Sequence, residues 1–359
     1  TDLYAGGTFS SIGGVSTSFG KWNGASWSSV GTGSPNGSIY TIISNGADLY
    51  VGSYSLNGIQ KWDGVSWSVV GGGANGGAVE CIIADGTNLY VGGYFSTIGT
   101  IGAANMAKWN GSTWSALVSG NAVASQVFAI AVNGLDVYVG GTFKGVGGII
   151  ANYVARWDGV NWTALGSGMN NVVYGLTFVG THLYATGEFT TAGGVSANRI
   201  AKWDGVSWSA LGTGLNSTGR CLAVSGTDLY VGGDFSQAGE VGANRIAKWN
   251  GTTWSSLSAI FDNSIYALTF IGTDLYAGGS FSFPNDRIAK WNGTSWSGLG
   301  FGVNNTVYAL ASIGTDLYAG GDFATAGGVT VNKIAKWDGA SWSVLGTGMS
   351  ATVRGLKSI

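Results

Sequence analysis

The chain has 359 residues, only 9% of them charged, and a formal net charge of −2. With no polybasic strip and no acidic tail, that composition argues against nucleic acid and anionic membrane as partners. No stretch approaches eighteen consecutive apolar residues, so no membrane insertion is expected, and 65 glycines against 2 prolines fit neither a collagen-like nor a proline-rich disordered chain.

The first predicted element is a strand, DLYAGGTF at 2–9. It opens without an initiator methionine and reads as the start of a mature or trimmed segment. The triplet DLY or a variant then recurs at 48, 88, 136, 182, 228, 274 and 316, with spacings of 40 to 48 residues. A second sentence, KWDGVSWSAL, begins at Lys202 and has close copies at Lys21, Lys61, Lys108, Arg156, Lys248, Lys290 and Lys336. Residues 264–300 illustrate one unit. SIYALTF is a first apolar run and IGT turns; DLYAGGSF is a second run. RIAKW is a third, NG turns, and TSWSGL is a fourth. No segment sustains a 3.6-residue period, so no helix is predicted.

Four short antiparallel strands repeated at this period predict an all-β chain: an eight-bladed β-propeller forming a single domain over 1–359. The expected blades are 351–359 with 1–35, then 38–75, 78–122, 126–168, 171–214, 218–258, 263–301 and 306–348. The chain opens on a second strand and closes on a first, TVRGLKSI, so the two ends should share one blade and close the ring.

A two-residue turn at Asp204-Gly205 would pair Trp203 with Val206 and Ala201 with Trp208. Both tryptophans then lie on one face, packed between blades. The basic residue before each first tryptophan faces the other way and is expected to lie over an aromatic ring of the neighbouring blade. Cys81 and Cys221 lie in separate apolar runs and are read as two unbridged thiols.

The pattern LYVGG…F…NRIAKWDG…W resembles the kelch-type propeller blade. It is more similar still to secreted bacterial repeats related to the fungal cortical-marker family for cell polarity, and this resemblance spans the whole chain. It implies a surface or secreted protein that is not an enzyme. The Asp-Gly-x-Ser-Trp turn also resembles the structural Asp-box hairpin of sialidases.

Catalytic and metal-binding chemistry is sparse. His182 is the one histidine; it replaces the aspartate of a repeated hairpin position, so no histidine cluster for zinc and no triad with a nucleophile elbow can be assembled. No D-x-D-x-D-G calcium loop occurs. Neither metal nor cofactor is expected. Asn110, Asn250 and Asn292 head Asn-x-Ser/Thr triplets inside tight hairpins.

The copies differ most tellingly in the innermost strand, eight residues before each DLY position. Tyr40, Phe128, Tyr174, Tyr266 and Tyr308 fill this slot in five copies; Glu80, Arg220 and Arg354 fill it in the others. Charge in an apolar strand needs a wet or paired environment. These residues are therefore the candidate ligand-binding set, at the ring axis or its mouth. Glu188, Asp234 and Asp322 precede the phenylalanine after the glycine pair in three copies and scatter acid on the face that carries the loops between second and third strands. The loop between second and third strands is cut short in SYSLNGIQKW and SFSFPNDRIAKW, which notches that face.

Three functions follow. The first is a non-enzymatic extracellular or cell-surface module for adhesion or scaffolding. It would engage a protein or glycan partner at a ring face or the axis, or assemble with further copies of the chain. The second is a lectin using aromatic surfaces between blades, which requires exposed tryptophans. The third is a carboxylate-dependent glycan hydrolase or lyase, which requires an acid cluster at one channel mouth.

Overall fold

The computed structural model describes residues 2–358 apart from 36, 56, 104, 118–124, 259–260 and 284–285. The expected blade boundary at 122, the outermost residues 1 and 359, and part of the second shortened loop lie outside the described residues. Apart from one 3-10 turn at Val70–Gly72, the described secondary structure is β. In a typical unit, strands Gly219–Ser225, Asp228–Gly233, Ile246–Trp249 and Trp254–Ser256 pair in that order, all antiparallel. The first strands of successive units touch one another in a closed circuit, with Val353–Ser358 contacting Ser38–Asn45 at the seam. This is an all-β propeller. Its ring closes through the chain ends: Leu3 pairs with Ser358, Ala5 with Leu356 and Gly7 with Val353.

The expectation of eight separate blades is corrected. Among the described residues the propeller has seven blade sheets, six of four strands and one of eight. The units expected at 38–75 and 78–122 merge into one double-width blade, whose described strands run from Ser38 to Ala116. Their second strands, Asp48–Tyr54 and Asn88–Tyr94, run one residue past the usual end and finish on tyrosine. The segment entering Ala78–Asp85 also carries one residue more, with Gly76, Gly77, Ala78 and Val79 between Asn75 and Glu80. The corresponding stretch between Asn170 and Tyr174 has three residues. Ala78 consequently pairs with Tyr94 of its own unit and with Tyr54 of the preceding one.

The hairpin register is also corrected. Trp203 pairs with Trp208, Lys202 with Ser209 and Ala201 with Ala210. The turn thus spans Asp204 to Ser207, because the Asp204 side chain organises it: Oδ1 accepts the amides of Val206 at 2.8 Å and Ser207 at 2.7 Å. Those amides hold the Asp204 carboxyl below its usual range. Asn110, Asn250 and Asn292 make the same amide bonds in their own turns. Each tryptophan pair is tilted, as in Trp203 and Trp208, with centroids 5.4 Å apart.

None of the sixteen tryptophans is exposed. The core is built between units. Leu165 and Met169 of one pack with Phe189, Trp203 and Trp208 of the next. Each such buried side chain supplies about 1.5–3 kcal/mol. The second indole of every unit also donates to a carbonyl of the unit before it, as Trp208 Nε1 does to Leu165 at 2.8 Å and Trp27 to Leu345 across the closure. Sequence spacing gave no sign of this bond.

In four units the basic residue before the first tryptophan, Lys61, Lys108, Lys248 or Lys290, lies over a ring of its own unit, not of the neighbouring one. Lys61 sits 6.0 Å from the centroid of its strand partner Tyr50. It also pairs with Asp48 at 2.6 Å. Lys21, Arg156, Lys248, Lys290 and Lys336 make the equivalent ion pair. At Lys108 and Lys202 that acid is replaced by Asn88 and His182.

Candidate binding site at the ring mouth

The eight slot residues share one backbone feature. Val173 pairs with Gly187 and Gly175 with Thr186, leaving Tyr174 unpaired in a register shift. The same shift falls at Tyr40, Glu80, Phe128, Arg220, Tyr266, Tyr308 and Arg354. Each is the extra residue of a β-bulge, a device that re-aims a side chain and strengthens local twist. The bulge explains the second glycine of each glycine pair. A Cβ on Gly321 would lie 2.0 Å from the Thr306 carbonyl, so glycine eases the displaced backbone there; the Tyr40 bulge has Ser53 at the equivalent position.

The bulges lie at the ring face that carries the loops between second and third strands, and they bring side chains of adjacent units together. Phe128 and Tyr174 have centroids 5.7 Å apart. The Arg220 guanidinium lies 5.4 Å from the Tyr266 centroid, Tyr266 lies 5.6 Å from Tyr308, and Arg354 lies 5.3 Å from Tyr308. Glu80 and Tyr40 stand apart from this chain of contacts. Glu80 accepts from Gln126 Nε2 at 2.6 Å, and its Oε2 is buried without a partner. Burial pushes the Glu80 carboxyl above its usual range, and the Gln126 bond offsets this only in part. Tyr40 is exposed.

The acids after the glycine pair meet these residues. Tyr174 donates to Glu188 at 2.9 Å; burial first, then that bond, raises the phenol pKa. Arg220 holds Asp234 through Nε at 2.7 Å and Nη2 at 2.6 Å, and Ser264 donates to the same carboxylate. Burial pushes Asp234 upward, but these hydrogen bonds and the Arg220 and Arg245 charges outweigh it and hold the carboxyl low. Thr352 donates to Asp322.

Sequence reasoning missed a second set of cations on this face. Arg199, Arg245, Arg287 and Lys333 each precede a third strand with φ between 60° and 73°. The left-handed backbone lets one residue close the loop in both directions: Arg199 N donates to Phe189 O and Arg199 O accepts from Gly187 N. A positive-φ position leaves no compositional mark when its occupant is arginine. Cys81 and Cys221 are unbridged, and burial raises both thiols, Cys221 to about 12.

No protein-family model matches the chain. No curated protein matches it. Among solved structures it is similar to the computationally designed Ika8 protein, with a TM-score of 0.56 and 17% identity over 88% of this chain and 87% of that one. It is also similar to the extracellular domain of BT4673 from B. thetaiotaomicron, described as a hybrid two-component system. There the TM-score is 0.50 and the identity 14%, over 83% of this chain and 38% of that one. A looser likeness, at a TM-score of 0.49 and 13% identity, is to the WD40 beta propeller domain of Doa1, over 88% of this chain and 93% of that one. At such identities the first two likenesses show the fold alone.

Proposed function

We propose that this chain is a non-enzymatic binding propeller that acts outside the cell or on its surface as a recognition or scaffolding module. The observation that carries this is the ring of bulged residues, which concentrates aromatic rings and guanidinium groups at one mouth. Tyrosine and arginine in partly desolvated clusters are the side chains that anchor protein partners. The repeat's resemblance to secreted cortical-marker-related propellers favours the same location, as does the likeness to an extracellular domain.

A carboxylate-dependent enzyme is less well supported. Glu188, Asp234 and Asp322 belong to three different units, and each is engaged by a hydroxyl or guanidinium group. A lectin that uses tryptophans between blades is disfavoured by the burial of those rings.

The test is selection of a phage-displayed peptide library on the immobilised chain, repeated with Arg220→Tyr and Arg354→Tyr combined. The variant puts the commonest slot residue at both positions. Selected peptides should bind it about tenfold or more weakly while the variant still unfolds cooperatively. Equal binding to both proteins would remove the ring mouth as the seat.

A further inference from the structure

The double-width blade opens a cleft where its two halves meet. In five units the residue entering the inner strand uses its side chain to tie down the loop of that unit. Asn170 Oδ1 accepts the amides of Thr190 and Thr191, and Asn216, Asp262, Asn304 and Ser350 do the same in theirs. At Asn75 the backbone carbonyl takes over, accepting from Ser96 N at 3.0 Å. Among the described residues, the Asn75 carboxamide therefore makes no hydrogen bond and keeps two donors and an acceptor free.

The next two residues, Gly76 and Gly77, have no side chains to fill the space. A Cβ on Gly77 would lie 1.7 Å from Tyr94 O and 3.0 Å from Tyr94 Cδ1, so the Tyr94 ring stands directly beside this floor. Tyr54, Ser55, Asn75, Gly76 and Gly77 line a cleft of about 430 Å³, within the range of small-ligand sites, with the Tyr94 ring at its edge beside Gly77. Tyr54 and Tyr94 are 62% and 59% exposed. Elsewhere their position is filled by Thr8, Thr142, Glu188, Asp234, Ser280 or Asp322.

We infer that this cleft is a binding site for a neutral oligosaccharide. Among the described residues the floor and walls carry no charged side chain, which removes the basis for recognising acidic or basic peptides and uronic-acid chains. Two flat rings that are apolar on their faces and polar at their tips suit a pyranose, which has an apolar C–H face and a rim of hydroxyls. The Asn75 carboxamide supplies the paired donor and acceptor that such a rim needs. The inference is independent of the ring mouth, and either can fail while the other stands.

The experiment uses the intact chain and calorimetric titration with maltohexaose, cellohexaose, xylohexaose and mannohexaose, preceded by a printed array of neutral glycans. At least one is expected to bind. Tyr54→Thr and Tyr94→Thr should each weaken binding about tenfold; the chain already carries threonine at this position in two units, so both variants should fold. Asn75→Ala should weaken it by a smaller factor, and Arg220→Tyr with Arg354→Tyr should leave it unchanged. The inference is overturned if no neutral glycan binds at millimolar concentration, or if binding survives both threonine variants. Tyr54- and Tyr94-dependent binding of a polyproline decapeptide in place of any glycan also overturns it.

Discussion

Residues 171–258 and residues 38–116 are built from the same sentence, yet they hold their mouth-side groups in opposite ways. In the first stretch the bulge residues and the loop-anchoring asparagines are paired: Tyr174 on Glu188, Arg220 on Asp234, Asn170 and Asn216 on their loops. In the second stretch Tyr40, Tyr54 and Tyr94 are exposed, Asn75 is released and one oxygen of Glu80 is buried alone. The difference traces to one added residue before the bulge and two strands that continue onto tyrosine. Small edits to a repeat can leave the ring intact and convert a satisfied rim into an open one.

The largest expected effect tests whether the shared core is equally strong in both stretches. Trp203→Ala removes a buried ring and should cost about 3–5 kcal/mol in chemical denaturation. The equivalent Trp109→Ala, at a half-buried ring in the double blade, should cost measurably less. Equal losses would mean that burial does not rank the two seams.

A compensated pair inside the regular stretch gives the next effect. Thr186 stands where other units have the first glycine of the pair, and Gly219 stands where most have valine or isoleucine. A Cβ on Gly219 would lie 2.1 Å from Thr186 Oγ1. Gly219→Val should destabilise by about 1–3 kcal/mol through overpacking. Adding Thr186→Gly should recover most of it, a coupling that a double-mutant cycle reads directly. Additive losses would show that the two sites do not sense each other.

The carboxyls of Glu80 and Asp234 should respond to pH with opposite sign. Glu80 has a raised folded pKa, so its stabilising contribution is complete at low pH and is lost as pH rises through that value. Glu80→Gln should therefore raise the melting temperature at pH 7 and have little effect near pH 4. Asp234 has a lowered folded pKa, so its contribution is present at neutral pH and is lost as pH falls through that value. Asp234→Asn should lower stability at pH 7 by about 1 kcal/mol for a part-exposed pair, with a lower melting temperature, and the deficit should shrink in acid. Parallel profiles for the two variants would contradict the contrast between paired and unpaired rims.

The smallest effect is expected at the peripheral ion pairs. Lys248→Met breaks a part-exposed contact with Asp228 and should change stability by about 0–1 kcal/mol. A loss comparable to that of Trp203→Ala would mean that the cation, and not the indole, holds the hairpin.

The repeat period, the four strands per unit and the joining of the chain ends could be read from the sequence. Strand alternation and turn residues are local properties, and each unit repeats them. The odd slot residues Glu80, Arg220 and Arg354 were also visible by comparing copies, since a charge in an apolar strand conflicts with its neighbours wherever the strand lies. The bulge was not legible, because it depends on how two strands align and not on which residues they contain. The hairpin register was misread for a related reason: Asp204 can serve a two-residue or a four-residue turn, and its side-chain bonds to Val206 and Ser207 choose the latter. The merging of two units rests on a single pairing between Ala78 and Tyr54, and the cleft beside it exists only because a backbone carbonyl there does the work that side chains do elsewhere. Such choices depend on which groups meet across a seam, and only the tertiary structure brings them together.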